Sequence, residues 1–306
     1  MRFITVVKSY TILSIALFLK GNTCLYAQCK TQSYYNLNEA LADVNCVKNF
    51  SYRYSGVESL SPKIGQLTYL EYLDVQKNHL KQLPSSLENL GNLKQLVLSD
   101  NDLSKIYIKI GNLKQLKTLQ LDKNHLIELP SSIKELQNLN ILDVSYNNFA
   151  SFSENLCDLK KLSILESRNN SLLYLPENIG KLNNLQTLTL DNNRLTHLPK
   201  SFTSLKKLKQ LDLSYNALQV LPNDLGKMKS LRVLSLSNNK LEELPASIGK
   251  LENLEMILLS NNAIQRLPSQ IKNLPKLKTL VLMNNPISKE YLDELKSLLP
   301  NTTIVF

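Results

Sequence analysis

From about residue 47 onward, apolar and polar residues follow one frame that recurs along the chain. Its markers are Asn78, Asn101, Asn124, Asn147, Asn170, Asn193, Asn216, Asn239, Asn262 and Asn285, each 23 residues from the next, with no insertion or deletion across ten units. The unit around Asn124 shows the frame in full: Leu116, Leu119, Leu121, Asn124, Leu126, Leu129-Pro130, Ile133 and Leu136. The Leu-Pro step returns at Pro84, Pro176, Pro199, Pro222, Pro245 and Pro268. A fixed period of this length marks a repeat architecture in which each unit is one supersecondary piece.

Each position in the frame has a physical reading. The Leu-x-Leu alternation predicts a short strand with one buried face. Ten such strands, stacked in parallel at about 4.8 Å, make one sheet over one long core. No unit buries its own apolar face, so stability rests on neighbours. The Asn ends the strand, and its amide can satisfy backbone groups of adjacent units that would be costly to bury alone. Proline suits an irregular outer segment and opposes a regular helix there. Bulkier outer segments than strands should bend the stack into an arc.

This frame resembles the leucine-rich-repeat family in its 23-residue Leu-Pro variety. That variety occurs in bacterial exported proteins, in plant intracellular repeat proteins and in Ras-binding scaffolds. The resemblance covers about residues 47–306 and implies an α/β fold: a curved solenoid with a parallel sheet on its concave face and irregular or short helical convex segments. It also implies binding rather than catalysis.

The ends of the array are expected to differ from its middle. One period before Asn78 stands Ser55, within a degenerate first unit that includes Val47, Phe50, Tyr52 and Leu60. Leu37, Leu41 and Val44 predict a short capping helix before it. At the other end Tyr291 replaces the Leu-Pro step. There Leu292, Leu295 and Leu299 predict an amphipathic helix that closes the core, with Asp293, Glu294 and Lys296 facing water. A last strand follows in 302–306. The resulting division is a signal peptide at 1–27, an N-terminal cap at 28–46, the solenoid at 47–285 and a C-terminal cap at 286–306.

The leader reading rests on Arg2 and Lys8 before a short apolar run, Tyr10 to Leu19, stopped by Lys20. The run is shorter than the roughly 20 apolar residues of a spanning helix. Cleavage is expected after Ala27; an uncleaved anchor, or lipidation at Cys24 or Cys29, are the alternatives. Removing Arg2, Lys8 and Lys20 lowers the formal charge from +10 to +7. In an oxidising compartment Cys29 and Cys46 would close a disulfide across the cap, leaving Cys157 as the odd thiol. No cysteine spacing fits a metal site.

Nothing in the chain carries recognisable catalytic chemistry. There is no Gly-rich phosphate loop, no H-E-x-x-H and no G-x-S-x-G. His79, His125 and His197 read as isolated, the first two being two units apart, about 10 Å by strand spacing. No metal, cofactor or small-molecule substrate is therefore expected. Binding would use the residues that alternate away from the core. These gather an acidic and aromatic centre, Asp122, Asp143, Tyr146, Glu166, Arg168, Asp191, Asp212 and Tyr215. They also gather an apolar end, Met256, Leu258, Val281 and Met283. The alternative is that these acids only solvate the sheet.

The expected partner is a protein or peptide held by a monomeric array. Two other readings stay open: an intracellular signalling scaffold of the Ras-binding kind, and a polyanion binder for nucleic acid or glycan. The last would use a basic rim of Lys114, Lys117, Lys160, Lys161, Lys206, Lys207, Lys209 and Lys229. It lacks interleaved aromatics or a nucleic-acid motif. The second unit departs from the frame at Ile106-Tyr107, the fourth at Phe152-Ser153 and the fifth at Ser167.

Overall fold

A computed structural model describes residues 33–306. The expected leader and Cys29 lie outside the described residues. Among the described residues, thirteen strands form one open sheet in strict chain order, every neighbouring pair parallel. They are β1 (Ser33–Tyr34), β2 (Asn49–Ser51), β3 (Tyr72–Asp74), β4 (Gln95–Val97), β5 (Thr118–Gln120), β6 (Ile141–Asp143) and β7 (Ile164–Glu166). The series continues with β8 (Thr187–Thr189), β9 (Gln210–Asp212), β10 (Val233–Ser235), β11 (Met256–Leu258), β12 (Thr279–Val281) and β13 (Thr303–Val305). The ten repeats supply β3 to β12, and the degenerate first unit supplies β2. Strand β1 was not anticipated, because two residues are too few to show a period.

The repeat length sets the register. Leu119 faces Leu142, Leu142 faces Leu165 and Leu165 faces Leu188. Their side chains fall in one buried column, at most 1% exposed. Among the described residues one core cluster runs from Tyr34 to Leu299.

The outer segments are short 3-10 turns, a geometry compatible with proline at the step. Pro84, Pro130, Pro199, Pro245 and Pro268 each stand immediately before such a turn, with φ between −68° and −62°. That is the fixed angle of the ring, so the entry geometry comes at no cost. Successive turns pack closely. A Cβ at Gly180 would run into the carbonyl oxygen of Ser201 in the next unit, so only glycine fits there. Where Phe152-Ser153 replaces Leu-Pro, Ser153 takes proline's place before the turn, and the Phe152 ring packs on Phe149 at 5.2 Å between centroids.

Both ends are capped. Helix α1 (Leu37–Ala42) starts at Asn36, whose side chain accepts from the backbone of Asn38 at 2.9 Å and of Glu39 at 3.4 Å. Helix α2 (Lys289–Leu298) starts at Ser288 and buries Tyr291, Leu292 and Leu295. The Tyr291 hydroxyl accepts from the Leu267 amide at 3.0 Å and donates to its carbonyl at 3.2 Å. The residue that breaks the Leu-Pro rule thus pairs both backbone groups of Leu267 in the preceding unit. Among the described residues, no helix is long and apolar enough to cross a membrane.

Cys46 is disulfide-bonded and Cys157 is a free, buried thiol. Burial, reinforced by Glu154, pushes the Cys157 thiol up to about 12.

Candidate functional site

The exposed sheet face is ordered by an asparagine ladder at its edge. The Asn124 amide donates to Leu98 and Leu121 carbonyls, both at 3.0 Å, and its Oδ1 accepts from the Leu103 amide at 3.0 Å. Asn101, Asn147, Asn193, Asn216, Asn239, Asn262 and Asn285 repeat these three contacts. At Asn170 the within-unit partner is the hydroxyl of the buried Ser167 at 3.3 Å, so that departure keeps the ladder bonded. Asn78 bonds Tyr52 and Val75 and receives the Ser55 amide, extending the ladder into the degenerate unit.

The residue before each Asn, and Tyr54 before Ser55, stands in the left-handed region, with φ between 52° and 58°. Asparagine occupies it at 169, 192, 238, 261 and 284, as expected for a side chain that tolerates this backbone. Tyrosine occupies it at Tyr54, Tyr146 and Tyr215, and lysine at Lys77 and Lys123. The tyrosines project into solvent at 69%, 47% and 55% exposure. A strained backbone carrying an exposed aromatic ring is a feature the fold does not need.

Three rows of the acidic centre are set by register. Gln120, Asp143, Glu166, Thr189 and Asp212 lie opposite one another on β5 to β9. The next row holds Asp122, Arg168 and Asp191, and the third holds Tyr146 and Tyr215. Asp143 is half-buried and accepts from the Ser145 amide at 2.9 Å; Asp212 accepts from Ser214 in the same way at 2.9 Å. Asp122 accepts from the Ser99 hydroxyl. Burial raises the Asp143 carboxyl above its usual range, helped by Asp122 and Glu166, although Ser145 opposes the shift. Arg168 stands 3.9 Å from Glu166. Between Glu166 and Asp212, the buried Thr189 hydroxyl oxygen has no hydrogen-bond partner. Five carboxylates, Asp122, Asp143, Glu166, Asp191 and Asp212, thus gather on these rows beside Arg168 and Lys123, and one hydroxyl is left unpaired.

The apolar end is a stripe along the same register, Leu258 opposite Val281 opposite Val305. Met256, Leu258 and Val281 are half-buried and Met283 is 45% exposed. Val305 and Phe306, 39% and 56% exposed, extend the stripe. Sequence reasoning assigned them only to the cap, because a terminal strand shows no period of its own.

Some expectations need correction. Asp74 belongs to the outward-facing row yet is fully buried. Arg53 pairs with it, and the Tyr72 hydroxyl donates to it at 2.6 Å, so two neighbouring side chains roof it over. His79 and His125 are not isolated: His79 Nδ1 lies 3.3 Å and His125 Nε2 lies 3.6 Å from the two oxygens of Asp102. The carboxylate of the intervening unit halves the distance between them. Among the described residues no group of three or more His, Cys, Asp or Glu is arranged to hold a metal ion.

The lysines at strand entry are largely engaged. Lys114 pairs with Glu135 at 2.7 Å and Lys229 with Glu252 at 2.6 Å. Lys161, Lys207 and Lys209 donate to Asn138, Asn184 and Gln186 one period back, at 2.7, 2.7 and 2.8 Å. Asn138 and Asn184 in turn donate to Lys114 and Lys160 carbonyls at 2.9 and 2.7 Å, a second asparagine ladder not foreseen from the sequence. It occupies only some units, so its period is hidden.

Comparison with known proteins follows the same frame. A family model described as Leucine-rich repeat region matches residues 153–240 and 223–300, and a Leucine Rich Repeat model matches residues 69–90. No curated protein matches the chain in sequence. Among solved structures, a leucine-rich-repeat protein of Leptospira interrogans is 27% identical, with 90% of this chain and 100% of that chain covered and a TM-score of 0.51. A TDR receptor is 25% identical over 93% of this chain and 52% of its own, with a TM-score of 0.77. The plant peptide hormone receptor RGFR1, solved in complex with RGF2, is 29% identical over 85% of this chain and 47% of its own, with a TM-score of 0.65. The chain spans about half the length of these two receptor chains. The period, the asparagine ladder, the parallel sheet and these matches agree: the chain belongs to the leucine-rich-repeat family.

Proposed function

We propose that the chain is an exported, non-catalytic module that holds an extended protein or peptide partner on its exposed sheet face. Cationic groups of the partner sit over Asp143, Glu166 and Asp212, between the rings of Tyr146 and Tyr215, and apolar side chains sit on Leu258 and Val281. The observation that carries this reading is the half-buried Asp143. It is held against burial and against two neighbouring acids, Asp122 and Glu166, and makes no ion pair among the described residues. A partner's Lys or Arg would relieve that penalty. Arg168, Asp191 and Asp122 give the centre hydrogen-bonding breadth, and Met283 widens the apolar end. The family and fold, shared with a peptide hormone receptor, support an interaction module. Export rests on the leader.

The test compares the mature chain with a variant carrying D143K, E166K and D212K. Each is immobilised, exposed to the culture fluid and surface fraction of its own cell, and the retained proteins are identified by mass spectrometry. A partner kept by the parent chain and lost by the variant supports the site. Retention of every partner by both overturns it. Fractionation tests export: an unprocessed cytoplasmic chain, rather than one starting after Ala27, favours the scaffold reading.

A further inference from the structure

A second surface lies off the sheet, on the flank where each unit leaves its strand and approaches the outer turn. Large apolar side chains stand exposed there: Ile127 at 52%, Leu173 at 48%, Tyr174 at 52% and Val220 at 61%. They belong to neighbouring columns just past the asparagines, where the repeat frame demands no apolar residue. Exposed apolar groups that the core does not use mark contacts.

These residues border grooves rather than a flat wall. One groove, of about 630 Å³, lies between Ile127 and Tyr174 and reaches His197. A second, of about 440 Å³, starts at His197 and ends at Val220. A third, of about 750 Å³, runs from Val220 to Ala263 and Pro286. Neighbouring grooves share His197 and Val220 as lining residues, so the three lie end to end as a trough along this flank. From the unit of Ile127 to that of Gln265 there are six strand spacings, about 29 Å, which an extended segment of about nine residues spans.

Charge chooses the occupant. The first groove is lined by Glu128, Glu154 and Glu177, with no Lys or Arg on its walls. The third adds Glu242 and Glu243, and its cation, Arg266, is paired with Glu294 at 2.7 Å. The second groove carries one cation, Lys200, and one acid, Asp224, so the acids of the first and third leave the trough acidic on a chain whose formal charge is +10. A polyanion is repelled by it. A Lys or Arg side chain would meet the carboxylates while stacking on Tyr174. The fourth unit's Phe152-Ser153 departure falls inside the first groove, where Ser153 leaves room and a backbone N–H that proline would remove.

We infer that this flank is a second binding surface, which takes an extended protein segment bearing Lys or Arg beside aliphatic residues. It is separate from the sheet face and would let the module hold two partners, or two parts of one, at once.

The test uses a fluorescein-labelled decapeptide of alternating leucine and arginine, with fluorescence anisotropy on the mature chain. Its leucine–glutamate counterpart is the control. The basic peptide is expected to bind and the acidic one not. Reversing Glu154 and Glu177 to Lys should weaken binding about tenfold or more, and Tyr174→Ala should weaken it further. The sheet-face variant D143K/E166K/D212K should leave it within about twofold. The proposal is overturned if E154K/E177K binds like the parent, if both peptides bind equally, or if the sheet-face reversal abolishes binding. Self-association of the chain, seen by sedimentation and lost in E154K/E177K without peptide binding, would instead assign the trough to a second copy and also overturn it.

Discussion

The Leu126 amide donates to Asn147 Oδ1 at 2.8 Å, across a gap of 21 residues in the chain. One side chain thereby fastens the outgoing segment of its preceding unit. Its Nδ2 meanwhile fastens two strand ends, through Leu121 at 2.9 Å and Val144 at 3.1 Å. Neighbouring units are joined by polar bonds as well as by the core.

Asn147→Ala should therefore leave several buried backbone groups unsatisfied at once. We expect a loss of about 3–5 kcal/mol, read from urea unfolding followed by circular dichroism. Asn285→Ala, at the half-buried end of the ladder, should cost about half as much, since water can replace the amide. Equal losses would show that exposure does not govern the ladder.

Tyr146 holds a left-handed backbone that Asn adopts in five other units. Tyr146→Asn should stabilise the array by about 1 kcal/mol while weakening partner binding. A variant both less stable and fully competent to bind would mean that the ring packs rather than recognises.

The Asp143 carboxyl titrates above its unfolded range, chiefly through burial. The folded state therefore holds its proton more tightly than the unfolded state. Stability from this group is greatest below the unfolded value and falls as pH rises through the folded one. Asp143→Asn should be more stable than the parent at neutral pH, and the difference should vanish at acid pH. Melting temperatures at pH 3 and pH 7, about four units apart, check the sign. Binding of a cationic partner should shrink the difference too.

If Cys29 bridges Cys46, alkylation without reductant should label one thiol in the mature chain. That thiol is Cys157, and it should react only after unfolding, because it is buried and pushed up to about 12. Two further labelled thiols would rule out the bridge.

The outer turns can be probed at Gly180. Gly180→Ala sets a methyl against the Ser201 carbonyl, and should cost about 1–3 kcal/mol. Gly91→Ala, with open space around it, should cost little.

Much of this was legible in advance because it is periodic. The Asn column, the Leu columns and the Leu-Pro step repeat in phase, so strands β2 to β12 and their register could be placed from spacing alone, while the C-terminal cap was legible from its amphipathic pattern. Asp122, Asp143, Glu166 and Asp212 could be placed on one face for the same reason. What spacing does not carry is how far a long side chain reaches. Arg53 and Tyr72 fold over Asp74, and Asp102 reaches both His79 and His125, though each belongs to a different unit. Nor does a period reveal backbone sign, which explains why the left-handed Tyr146 and Tyr215 were read only as surface aromatics. The flank trough was missed because Ile127, Tyr174 and Val220 occupy columns that are polar in most units.

The unbroken 23-residue step makes the array a ruler with discrete divisions. Tyr146 and Tyr215 stand three divisions apart, about 14 Å along the stack. Excising one whole period between them would bring the rings closer by one division and leave every remaining pairing in phase. Excising a length that is not a whole number of periods would not. Partner span can thus be reset by gain or loss of a unit, with no change at the contact residues themselves.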